Sequence, residues 1–212
     1  MSWDNTGSSG GSAVAVSMGM VYASLGTDSV GSLRAPSSLC GVIGLKPTFG
    51  LVSTYGVFPV SSSMDHVGCI TRSVWDAAAI LELLSGEAQL ANSTIKRKVP
   101  VYTKIIEELP IEKISVGIPK NYFLDYLNHD VESLFYSFID TLKSIDVKVY
   151  DLTLSNTNKY YEPNLNIARA DAAEVHLEWL KTRIQDYSEE IRKSFQYGLS
   201  VSVVDYIRSK KI

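Results

Sequence analysis

The first ninety residues are almost free of charge, and this limits what the chain can fold into more than any single motif does. They hold three basic residues, Arg34, Lys46 and Arg72, and six acidic ones, whereas residues 91–212 hold seventeen of each. A segment so rich in Gly, Ala, Ser and Val cannot solvate its own surface, so it is expected to be packed on both faces, with the charged remainder around it. With 45% hydrophobic and 20% charged residues over 212 positions, the chain can bury a substantial core. The net charge of −3 gives no general basic field, so neither a nucleic acid nor a membrane surface is expected as a direct partner. Two cysteines, Cys40 and Cys69, are too few for a disulfide framework and too isolated for zinc; they read as small buried fillers, and no metal or cofactor is expected. No secretion signal or long apolar span is evident, and a cytoplasmic location is the expectation.

Along the chain, Gly7-Ser8-Ser9-Gly10-Gly11-Ser12 is a small-residue loop running into Ala13-Val14-Ala15-Val16, which reads as a buried helix that Ser9 or Ser12 would cap. Met20 to Leu25 reads as a short buried strand ending at Gly26-Thr27-Asp28. Residues 29–70 carry turn signals at Gly31, Pro36, Gly41, Gly44, Pro47, Gly50, Gly56, Pro59 and Gly68, and that much irregular backbone suggests a site. Val74, Ala77, Ala78, Leu81 and Leu84 mark an amphipathic helix stopped by Gly86. Residues 87–110 read as a surface excursion, and Lys96-Arg97-Lys98 within them as a solvated loop. Ile114–Ile118, the helical spacing of Val131, Leu134, Phe135, Phe138, Leu142 and Ile145, and the alternating Val147–Tyr150 form a strand–helix–strand unit, which favours parallel pairing and an α/β fold. From about Pro163 the chain reads as helical, with one stripe at Ala168, Ala172, Val175 and Trp179 and another at Ile191, Phe195 and Leu199.

Two glycine-rich loops that carry serines, separated by a helix and a strand, can fold back beside each other, bringing Ser8 near Ser32, 24 positions later. The second loop reads Gly26-Thr27-Asp28-Ser29-Val30-Gly31-Ser32-Leu33-Arg34, and a third block reads Pro36-Ser37-Ser38-Leu39-Cys40-Gly41-Val42-Ile43-Gly44-Leu45-Lys46-Pro47-Thr48. In this order and spacing the three blocks resemble the amidase signature family, and a weaker likeness continues through Ser62-Ser63-Met64-Asp65 and Thr71–Ala78. The resemblance implies a mixed sheet covered by helices on both faces, present here as a central portion incomplete at both ends, with the signature core in residues 1–86. It implies Ser32 as the nucleophile, Ser8, preceded by a cis peptide bond, as proton relay, and the backbone N–H groups of Ser29, Val30, Gly31 and Ser32 as an oxyanion hole. Ser9, and Asp28 paired with Arg34, would support the loop. A serine hydroxyl is a weak nucleophile, and a bridging hydroxyl can pass its proton to a neutral lysine. The family's lysine lies far upstream of the position of Ser8, so the base is expected outside this chain. A second polypeptide bearing that lysine is then one expected partner, a second copy of the chain another, and a small amide the substrate.

A further departure and several alternatives stand beside this reading. Val30 occupies a position where the family has glycine, and a β-branched residue would be strained there if the backbone needed φ > 0. Gly7-Ser8-Ser9-Gly10-Gly11 also fits G-x-S-x-G, which would make Ser9 the nucleophile, but no hydrophobic strand precedes it, and His66, His129 and His176 read as structural. No phosphate-loop lysine follows Gly11. Lys46 reads as structural or as lining a substrate channel rather than as a base. Within the family, the run from Ile167 to His176 resembles general amidases more than the A subunits of tRNA-dependent amidotransferases. A general amidase is therefore favoured, the alternatives being an inactive fragment and the amidotransferase A subunit.

Overall fold

The computed structural model describes residues 7–87, 95, 98–155 and 157–212. Its centre is strand β3 (His66–Thr71), buried at every position but the first. Strand β1 (Ala23–Asp28) and strand β2 (Ile43–Leu45) flank it, both antiparallel, with Gly26 opposite Gly68 and Leu45 opposite Cys69. Successive residues of a strand face opposite sides. On one side Ile70 meets Ala13 and Val16 of helix α1 (Gly10–Ser17), together with Leu33, which leads into helix α2 (Arg34–Leu39). On the other, Val67 packs with Val52 and with Leu81 of helix α3 (Val74–Leu84), while the Cys69 thiol donates to the Ala77 carbonyl. The central strand of the weakly charged front is therefore covered on both faces, but Met18, Tyr55 and Leu83 in the same segment stand exposed, so the front is not packed throughout as expected.

Helix α3 is framed as its sequence demands. The Ser73 hydroxyl accepts from the Asp76 N–H at the start, and Gly86 lies just beyond its end at φ +136°. Strand β4 (Ser115–Pro119), helix α5 (His129–Ser144) and strand β5 (Lys148–Leu152) form the expected crossover, with β4 and β5 parallel. The fold is α/β, and among the described residues the two strand senses are divided between two sheets. Helices α6 (Tyr161–Val175), α7 (Leu177–Thr182), α8 (Glu189–Ser200) and α9 (Val203–Ser209) complete the back half. Helices α6 and α8 cross closely at Gly198, where a β-carbon would fall 2.1 Å from the Arg169 carbonyl oxygen, and Ala172, Ala173 and Phe195 close a small core there. No helix among the described residues is long and apolar enough to cross a membrane.

Several expectations are corrected. The first strand begins at Ala23, not Met20: Met20 and Tyr22 stand 75% and 89% exposed, and pairing with β3 carries the strand through Gly26 and Thr27 to Asp28. Ser9 holds the N-cap position of α1 but makes no capping bond; its hydroxyl is drawn instead to the backbone of β1. The 29–70 segment contains α2 and β2, and the excursion contains a helix, α4 (Tyr102–Glu108), while Lys96 and Arg97 lie outside the described residues. Of the residues on the two helical stripes, Ala168, Ala172 and Phe195 are buried, while Trp179, Ile191 and Leu199 are 44%, 45% and 54% exposed.

Leu33 is fully buried between α1 and β3, so Leu33→Ala should lower stability by about 2–5 kcal/mol, read as a fall in the urea midpoint with an unchanged slope.

Candidate active site

The loop between β1 and α2 is organised around the carboxylate of Asp28, which has no solvent exposure. One oxygen accepts from the Gly31 N–H (2.8 Å) and from Arg34 Nη2 (2.9 Å), while the other accepts from Arg34 Nε (2.9 Å) and from the N–H groups of Leu33 and Arg34 (3.3 Å each). Burial alone would raise the acid's pKa, but the Arg34 guanidinium, and then the Gly31 N–H, outweigh it and hold Asp28 below its ordinary value. The arginine is correspondingly raised. Gly31 takes φ +124°, which its missing β-carbon permits, and Val30 does not have a positive φ, so the valine is accommodated without that strain.

Ser32 follows directly and is half-buried. The Ser9 N–H donates to the Ser32 carbonyl oxygen (3.1 Å), and a β-carbon placed on Gly7 would lie 3.4 Å from the Ser32 Cα and carbonyl oxygen. Ser8, exposed, therefore sits between Ser9, which is bonded to Ser32, and Gly7, beside which a side chain would meet Ser32. The Gly7–Ser8 peptide is trans, as is every peptide bond among the described residues, which corrects the implied cis bond. A non-proline cis bond needs enclosing contacts to impose it, and Gly7 and Ser8 are both exposed. Ser9 is buried, and its hydroxyl donates to the Thr27 carbonyl (3.2 Å) and accepts from the Thr27 N–H (3.1 Å), an arrangement that pins α1 to β1 and leaves no free nucleophile there.

Of the four N–H groups expected to bind an oxyanion, Gly31's is committed to Asp28 and drops out of the set. Those of Ser29, Val30 and Ser32 have no protein partner among the described residues. The loop is braced from outside by contacts that sequence reasoning missed. The Ser29 hydroxyl donates to Asp65, whose other oxygen accepts from the N–H groups of Val60 (2.8 Å) and Ser61 (3.0 Å). Ser61 (2.5 Å) and Ser63 (2.9 Å) in turn donate to Asp171 on α6, which also accepts from Tyr206 on α9 (2.6 Å). Asp171, and then burial, raise the Tyr206 phenol above its ordinary value.

The remaining candidates make local contacts or mark a helix start. His66 Nδ1 contacts only carbonyl oxygens, Met64's (2.6 Å) and Asp28's (3.1 Å), and so carries the proton. His176 Nδ1 meets the Tyr187 hydroxyl (2.9 Å), and its ring stacks on Phe195. His129 opens α5. The Lys46 ammonium donates to the Pro47 carbonyl (2.8 Å), and burial, followed by the nearby Arg34 charge, lowers its pKa. No cluster of three or more His, Cys, Asp or Glu among the described residues could hold a metal ion.

The sequence and the fold as a whole are matched by known proteins. A family profile described as Amidase covers residues 2–208. The chain belongs to that family. It is 34% identical to the A subunit of the glutamyl-tRNA(Gln) amidotransferase of Persephonella marina, over 97% of this chain and 47% of that protein. Among solved structures, an inhibitor-bound vestigial protein complex bearing on the origins of an s-triazine catabolic enzyme superposes with a TM-score of 0.90 at 28% identity, over 97% of this chain and 44% of that one. A crystal structure of an amidase gives 0.82 at 34%, over 97% and 43%. The chain thus spans about half the length of the proteins it matches.

Because Asp28's pKa is lowered on folding, its stabilising contribution is present above its ordinary value near 3.8 and is lost as pH falls through the lower folded value. Asp28→Asn should cost about 2 kcal/mol at pH 7, since buried donors lose a charged acceptor, and the gap from wild type in denaturant midpoint should shrink as the pH is taken below that window.

Proposed function

We propose that this chain carries the nucleophile half of an amidase, a hydrolase that converts a carboxylic amide to an acid and ammonia or an amine. Ser32 Oγ attacks the carbonyl carbon while its proton passes through the Ser8 hydroxyl to a lysine on a segment outside this chain. The oxyanion that forms is held by the N–H groups of Ser29, Val30 and Ser32, donors of a kind each worth on the order of 3 kcal/mol in the transition state. Collapse breaks the C–N bond, the amine leaves with a proton returned through Ser8, and water releases the acyl group from Ser32 by the reverse route. Asp28 and Arg34 are positioning residues that turn the Gly31 N–H inward and leave its neighbours free.

The observation that carries the reading is the bond from the Ser9 N–H to the Ser32 carbonyl, which locks the two serine loops together. The glutaminase subunit of a tRNA-dependent amidotransferase is a second reading, supported by the relative from P. marina, whose own name states an amidotransferase. The lysine-bearing partner, the substrate and the cytoplasmic setting belong to the proposal as well.

A fluorophosphonate should label Ser32 when the chain is combined with a polypeptide carrying the lysine, and the adduct should vanish in Ser32→Ala but persist in Ser9→Ala, as read by peptide mass mapping. Amide turnover by the chain alone, abolished by Ser32→Ala, would remove the need for an external base; an adduct that survives Ser32→Ala would remove Ser32 from the mechanism. Stable capture of a tRNA-binding subunit together with glutaminase activity would favour the second reading.

A further inference from the structure

One residue of the oxyanion loop faces two ways. The Val30 N–H is among the three without a protein partner, and its side chain, 45% exposed, forms part of the wall of a pocket of about 430 Å³ between the loop and helices α6 and α8. The rest of that wall is largely hydrocarbon, from Val60, Leu165, Ala172, Ile191 and Phe195. The volume lies within the range of small-molecule sites. Consecutive Cα atoms are about 3.8 Å apart, so Val30 is at most about 7.6 Å from Ser32 at Cα, and a carbonyl held against the loop places its substituent within reach of this wall.

We infer that the pocket receives the acyl side chain of the substrate, with Val30 as a specificity-determining residue, and that the preferred amides end in a compact hydrocarbon group such as phenyl or branched alkyl. This inference rests on the reading of Ser32 as nucleophile and deepens it. Four polar side chains also line the pocket, Arg169, His176, Tyr187 and Ser194, and two of them are bonded to each other, the Tyr187 hydroxyl and His176 Nδ1. The Arg169 guanidinium lies over the Tyr197 ring, 4.7 Å from its centroid. A hydrocarbon group entering the pocket leaves these pairings intact. A carboxamide side chain such as glutamine's would lose its water contacts against a wall that returns few hydrogen bonds.

The test uses the full 212-residue chain and two probes, phenylacetamide and glutamine, with binding followed by saturation-transfer NMR. Phenylacetamide should bind, glutamine at the same concentration should not, and Ser32→Ala should leave phenylacetamide binding in place. Val60→Phe and Ile191→Phe, at positions 43% and 45% exposed, fill the pocket without repacking a core, and each should weaken phenylacetamide by about tenfold or more. Val30→Ala, which removes two methyl groups from the wall, should weaken it several-fold. No phenylacetamide binding, equal binding of glutamine, or indifference to both filling variants would overturn the inference. If the filling variants abolish binding while Ser32 resists the fluorophosphonate, the fault lies with the nucleophile assignment and the pocket's preference for apolar amides stands.

Discussion

The buried carboxylate of Asp28 is the fixed point of the front half of the molecule. An unpaired charge in such a place would be costly, and here every direction open to the two oxygens is taken by a donor. Because three of those donors are backbone N–H groups from residues 31–34, the ion's demand for partners sets the curvature of the loop and the start of α2. The same bonding decides which amides of the loop face inward and which are left without a protein partner. Arg34 supplies the counter-charge from the surface, half exposed, so that the pair is satisfied without a second ion being buried.

A second carboxylate, Asp65, holds the loop from its far side, and a third, Asp171, holds the segment on which Asp65 rests. The links alternate between hydroxyl donors (Ser29, Ser61 and Ser63) and backbone N–H donors (Val60 and Ser61), all to ionised acceptors, which makes them stronger than neutral pairs. They tie α6 and α9, from the charged back half, to the nearly uncharged front. The apolar pocket lies between these two regions, so its width depends on both the loop and the helices that the acids hold in register.

Elements with a strong period were legible in the sequence. Helix α3 and the β4–α5–β5 unit form where their apolar spacing puts them and Gly86 ends α3 as expected, whereas the caps at Ser73 and Asn128 emerge only from their local bonds. Elements made of small residues were not. In β1, Gly26 faces Gly68 so that Ser9 and Leu33 can fit above them, and a pattern chosen for close approach reads as a turn. Helix α2, Arg-Ala-Pro-Ser-Ser-Leu, has no apolar stripe; buried Pro36 and Ser37 and the Ser37 hydroxyl bonded to the Leu33 carbonyl hold it in place. The serine loops were recognisable as motifs, but the commitment of the Gly31 N–H to Asp28 was not, because a motif does not say where its amides point. Asp171 left no local signal at all, since its serine partners are 108 and 110 positions away.

That long reach bears on how the protein is made. Chains emerge from the ribosome amino end first, and front segments collapse while later ones are still being added. The loop bearing Asp28 and Ser32 is synthesised early, yet the acid that anchors its outer brace arrives with α6 and the tyrosine that steadies that acid arrives with α9. During translation the cleft therefore exists first in an unfinished form, and it acquires its mature shape only when nearly the whole sequence described here has been extruded.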